Sequence, residues 1–130
     1  MKIPRPLLHA ARVADEILFY PAAILVVWGE LSGAPPGIFN WLGDLQDKAL
    51  HFIAYFGLAG MAAAALKRRR SVYFASLGLF ALGGALEIVQ GFTGRDMSAY
   101  DQLANTLGVV AGAFVTRAVV EWLRRDLGYW

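Results

Sequence analysis

Three ionisable side chains crowd the start of a long apolar stretch: Asp47, Lys48 and His51, followed one helical turn later by Tyr55. Residues three and four apart share a helix face, so Asp47, His51 and Tyr55 line one stripe, with Lys48 beside it. An imidazole between a carboxylate and an ammonium is suited to proton transfer near neutral pH. A lysine at the same place is suited to holding a phosphate or carboxylate. The apolar residues run on through Leu58, Met61 and Ala65 until Lys67-Arg68-Arg69-Arg70 ends them. Charge at the mouth of a membrane helix is costly, which gives such groups a functional reading.

Further along, Glu87 and Gln90 are three apart and so share a face, while Arg95, Asp101 and Asn105 follow in the next link and helix. Glu87 falls about a turn inside an apolar run, where a lone carboxylate costs a few kcal/mol. It therefore calls for a partner, and His51 or Arg95 is the cation expected to supply one. Asp101, Asn105, Gly108 and Gly112 recur at helical spacing, and the last two form a GxxxG that permits close helix approach. Gly83 and Gly84 offer the same below Glu87. The candidate acid–base residues are thus His51, Glu87 and Asp47. The candidate substrate-binding residues are Lys48, Arg95, Gln90, Asp101, Asn105 and Tyr55.

A structural reading stands beside each. Asp44 is placed to cap the second helix with Asp47 in its first turn, and Ser98 with Asp101 has the spacing of a capping box. Acids near helix starts are also favoured by the helix dipole. Gln90 has the character of a helix-packing hydrogen-bond group, and His9 that of an exposed surface residue. A metal held by His51, Asp47, Glu87 and Asp101 is chemically conceivable, but the network is satisfied without an ion. No metal or cofactor is therefore expected.

The elements that must position these groups follow from composition. With 130 residues, 58% hydrophobic and 17% charged, the chain is a single domain too apolar for a small soluble protein. A net charge of +2 does not describe a nucleic-acid binder. There is no cysteine, hence no disulfide, thiol nucleophile or Cys-ligated metal. The first apolar run lacks the small-residue cleavage pattern of a removable signal peptide.

Four apolar runs, roughly 14–31, 49–66, 71–90 and 103–120, each approach the ~20 residues needed to cross ~30 Å of hydrocarbon. The expected fold is all-α: four transmembrane helices in an antiparallel bundle, with residues 1–13 as an interfacial segment. Pro21 is expected near the start of the first helix, where a missing N–H is tolerated. Ten of the twelve lysines and arginines fall on one side of such a chain, and only Lys48 and Arg95 on the other. That asymmetry predicts both termini in the cytoplasm. Trp28, Trp41 and Tyr100 then lie near the outer interface, and Tyr20, Tyr73 and Trp122 near the inner one.

The ordered set Asp47-Lys48-x-x-His51-x-x-x-Tyr55, Glu87-x-x-Gln90, Arg95 and Asp101-x-x-x-Asn105-x-x-Gly108-x-x-x-Gly112 resembles the VanZ-like family, named after a protein associated with teicoplanin resistance. Ser32 and Pro35 fit the family's outer link. Gly91-Phe92-Thr93-Gly94 departs from the pattern, since a proline is expected before Arg95. The resemblance implies a small four-helix bacterial membrane protein with a role in glycopeptide susceptibility or cell-envelope chemistry. Its expected partners are membrane lipids and a lipid-linked or peptidoglycan-precursor ligand.

Three functions are compatible with these residues. The first is an enzyme acting on an anionic envelope substrate, with Lys48 and Arg95 binding it and His51 exchanging protons. The second is a non-catalytic binding or structural module, since the cluster holds no obvious nucleophile. The third is a small proton-coupled exporter; there a mid-membrane glutamate in the first span would be expected, whereas Glu87 is at an edge of the third.

Overall fold

A computed structural model describes residues 5–32, 41, 43, 45–94 and 96–127. Four helices account for nearly all of them: α1 (Arg5–Ser32), α2 (Gln46–Ala65), α3 (Arg69–Phe92) and α4 (Ala99–Leu127). The all-helical class agrees with the expectation, and each predicted run lies inside or within a residue of a helix. The largest difference is α1. It begins nine residues before the expected 14, so the segment read as interfacial is helical from Arg5 onward. Pro6 falls in its first turn, where proline is compatible with a helix. Pro21 consequently stands inside α1 rather than near its start. The adjoining Tyr20 lines a groove with Ala65 and Leu66, so the early turns of α1 lie level with or beyond the end of α2.

The contacts fix the helix directions. Glu30, at the end of α1, meets His51, near the start of α2. His51 in turn meets Asn105 and Asp101, near the start of α4. Glu87, late in α3, accepts a hydrogen bond from Ser98, just before α4. At the opposite end Arg69, which opens α3, pairs with Glu121 late in α4. The chain therefore runs up, down, up and down, with the polar residues at one end and the basic link at the other. The first described helix begins, and the last ends, at the basic end.

Packing centres on α2. Its stripe His51, Tyr55, Leu58, Ala59, Ala62 and Ala63 is buried, and α4 is its most extensive partner, with α1 next. The reason α4 fits so closely is glycine. A Cβ on Gly108 would collide with the carbonyl oxygen of Phe52, and one on Gly112 with that of Phe56. The GxxxG stripe thus serves packing within the chain, bringing the two backbones together as small residues do in membranes. From α1, Phe19, Ala22, Ala23 and Val26 close over the same core.

Three helices, α2, α3 and α4, are long and apolar enough to cross a membrane. The outside of the bundle is apolar as well: Phe80, Val110 and Phe114 are 46%, 62% and 73% exposed. So much exposed apolar surface would be a liability in water and is natural against lipid. α1 is equally long but carries Arg12, Asp15, Glu16 and Glu30, and is not one of the three.

Candidate functional site

Seven of the nine predicted site residues sit on helices close to the polar end as buried or half-buried groups: Asp47, Lys48, His51, Glu87, Gln90, Asp101 and Asn105. Tyr55, the eighth, is wholly buried one turn below His51. Arg95, the ninth, lies outside the described residues, as does Asp44.

His51 is the hub. Its ring is 94% hidden, with only 6% of the residue exposed, and Nδ1 stands 2.9 Å from Oδ1 of Asn105. An amide oxygen can only accept, so Nδ1 carries hydrogen in this pair. Nε2 then faces Asp47 Oδ1 at 3.9 Å and Asp101 Oδ2 at 4.0 Å. Those separations are too long for hydrogen bonds but suit ion pairing when both ring nitrogens are protonated. Asp101 is shared, because its other oxygen lies 3.6 Å from the ammonium of Lys48.

Asn105 is placed by its neighbours. It is completely buried, its amide nitrogen reaches Gln102 Oε1 at 3.5 Å, and α3 makes room with Gly83. A Cβ on Gly83 would stand 2.9 Å from the Asn105 amide nitrogen and 3.3 Å from the Tyr55 ring. The expected use of a small residue below Glu87 is met at this position.

The pairing of Glu87 with His51 requires correction: Glu87 Oε2 accepts the backbone N–H of Ser98 at 3.0 Å, and the described acids within 4.0 Å of His51 are Glu30, Asp47 and Asp101. The alternative partner, Arg95, lies outside the described residues. Ser98 does cap α4, its hydroxyl accepting from Asp101 N–H at 3.3 Å. In a capping box the residue three along would reach back to the cap's own N–H; here Glu87 of the preceding helix takes that bond. At α2, Leu45 occupies the cap position with no side-chain cap bond, and the cap foreseen at Asp44 falls on a residue outside those described.

Glu30 is the residue that the sequence reading missed. Its side chain is only 8% exposed, with Oε1 3.6 Å from His51 Nδ1, and it interacts with the Tyr55 hydroxyl. Gln90 ties down the same turn of α1 by donating from Nε2 to the Glu30 carbonyl at 2.7 Å. The available signal was a single acid near the polar end of an apolar run, the same signal that identified Glu87.

The arrangement joins a buried imidazole to three carboxylates from three helices, with a half-exposed lysine alongside. It can pass a proton between the ring and an adjoining acid, and Lys48 can meet an anion arriving from outside. Asp47, His51 and Asp101 offer donor atoms within 4.8 Å of one another and so could hold a cation. Ligand atoms at ~2.0–2.2 Å from one ion stand at most about 4.4 Å apart, so the three would have to close in. No family model matches this chain, and no curated protein or solved structure matches it either.

Proposed function

We propose that this chain is a VanZ-like protein of the bacterial cytoplasmic membrane, crossing it four times with both termini inside. Its polar end is an extracytoplasmic pocket that binds, and acts on, an anionic cell-envelope ligand of the lipid-linked or peptidoglycan-related kind. The observation that carries this reading is the meeting of Glu30, Asp47 and Asp101 around His51 from α1, α2 and α4, with Glu87 of α3 held on the adjoining Ser98, at the end opposite the basic cluster. Positive residues favour the cytoplasmic side, which turns that end outward. α1 is read as the fourth span on its 28-residue length, with Arg12, Asp15 and Glu16 in the half toward the basic end, Glu30 at the polar end and the charge-free Ile17–Gly29 between them. Lys48 and Arg95 receive the phosphate or carboxylate, His51 exchanges a proton with it, and Asp47 and Asp101 hold the ring's charge. The link to glycopeptide susceptibility rests on the motif resemblance alone.

Purified protein in nanodiscs tests the binding half. A polyprenyl diphosphate should be retained in native mass spectrometry well above the matching polyprenol, and Lys48→Ala or Arg95→Ala should each weaken it about fivefold or more. Equal retention of the two lipids by the parent protein would end the reading.

A second reading is a non-catalytic module, in which the polar groups hold the helices in place. It is favoured by two bonds that join elements rather than expose chemistry: Ser98 N–H to Glu87 and Gln90 to the Glu30 carbonyl. It differs measurably, because His51→Gln would then lose function only as far as it loses folded protein.

A further inference from the structure

At the basic end the bundle carries a second feature, independent of the polar pocket. An apolar groove of about 710 Å³ runs along the outside of α3 and α4, floored by Val72 and Val109 and walled by Tyr73, Phe80, Val110 and Phe114. Its walls are exposed side chains, so no described residue covers it. The groove ends against Arg69, Arg117 and Glu121. Those three residues also line an adjoining basic recess completed by Lys67, Arg124 and Arg125. Among the described residues, five cations and one carboxylate thus stand at the mouth of an apolar channel.

The geometry of the mouth is built rather than incidental. Arg117 is only 13% exposed in its side chain and lies 3.6 Å from Glu121. It donates to the carbonyl of Leu66 at 3.2 Å, using the acceptor left at the end of α2. Arg69 donates to Glu121 at 2.8 Å while remaining 79% exposed. The single carboxylate therefore orients two guanidinium groups and leaves a net positive recess. From Arg69 to Phe80 the groove is about 16 Å long at ~1.5 Å rise per residue. One leaflet's share of a ~30 Å hydrocarbon core is about 15 Å.

We infer that this groove binds an anionic phospholipid of the cytoplasmic leaflet, with an acyl chain along α3 and α4 and its phosphate on the Arg69–Arg117 recess. Charge selects the occupant. A zwitterionic lipid would fill the apolar part equally well but gains little from a net positive recess, whereas an anionic headgroup gains about 1 kcal/mol per nearby cation. A second copy of the chain would bring the same basic mouth and be repelled there.

Detergent-purified protein is offered equal amounts of phosphatidylglycerol and phosphatidylcholine with identical chains, and bound lipid is counted by native mass spectrometry. Phosphatidylglycerol should be retained preferentially, and the preference should fall about fivefold for each cation removed in Arg69→Gln and Arg125→Gln. Both positions are exposed, so folding is not at stake. Val110→Trp, which fills the groove from an exposed position, should reduce retention of both lipids, whereas Ile88→Trp on a lipid-facing position outside it should not. Equal retention of the two lipids overturns the inference, as does a preference that survives both charge removals. Val110→Trp behaving like Ile88→Trp, or a dimer that Val110→Trp disperses, would overturn it too.

Discussion

The imidazole of His51 and the amide of Asn105 meet across α2 and α4 at 2.9 Å, in a place where Asn105 has no exposed surface at all. A buried polar group stripped of its partner bears its full desolvation cost, about 1–3 kcal/mol. Asn105→Leu should therefore lower thermal stability in detergent by that amount, and His51→Ala by a similar one. Residues in one network are coupled, so the double variant should lose clearly less than the sum. Strict additivity in the cycle would show that the contact contributes nothing.

The glycine contacts make a sharper prediction. Gly108→Ala and Gly112→Ala each place a methyl group into a carbonyl oxygen of α2. Overpacking of a fitted interface costs about 1–3 kcal/mol, and backbone cannot rotate away as a side chain can. Both variants should lose folded yield, and Gly57→Ala should not, because its added methyl meets nothing within 4 Å. Fluorescence size-exclusion profiles of the three would decide the matter.

Glu87 accepts a bond that a neutral amide oxygen can accept equally well. Glu87→Gln should then keep parental stability, and Glu87→Leu should lose about 1–3 kcal/mol by orphaning the Ser98 N–H. If the glutamine variant is folded but inactive in an envelope or drug-susceptibility assay, the acid has a chemical role beyond its structural one. Matched loss of stability and function in both variants would assign it to structure alone.

Orientation can be read directly because the chain has no native cysteine. Met97→Cys, at an exposed position just before α4, should react with a membrane-impermeant thiol reagent in intact cells. Arg69→Cys, exposed at the opposite end, should react only after permeabilisation. The reverse pattern would turn the polar pocket toward the cytoplasm.

For the cation question, protein purified without chelator should contain no stoichiometric transition metal, and chelation should leave its melting temperature unchanged. The distances among Asp47, His51 and Asp101 underlie that expectation, together with Lys48 already on Asp101. A metal found at one equivalent and lost in Asp47→Asn would refute it.

Much of this site was readable from spacing alone, and the reason is physical. Asp47, His51 and Tyr55 share a face because a helix repeats every ~3.6 residues, and apolar stretches of membrane length bring helix ends to a common level. The same rule aligned Asp101, Asn105, Gly108 and Gly112. What spacing cannot convey is which neighbour a group will find. Charge matches Glu87 to His51 or Arg95; among the described residues the hydrogen bond the fold gives it is from a backbone N–H eleven residues away. Glu30 escaped notice because no other polar residue stands three or four positions from it in the apolar part of α1. The start of α1 was misplaced because Arg5, Pro6 and Arg12 interrupt its hydropathy without interrupting its backbone, and Arg12 pairs with Glu16 one turn on.

The distance along the chain between His51 and its amide partner, 54 residues, has a consequence for biosynthesis. Chains emerge from the ribosome N-terminus first, so α2 reaches the membrane with its histidine and acids while α4 has not yet been translated. Until then those groups must stay at the lipid headgroups or in the translocon. Final docking of the bundle is thus a late event, set by arrival of the last helix.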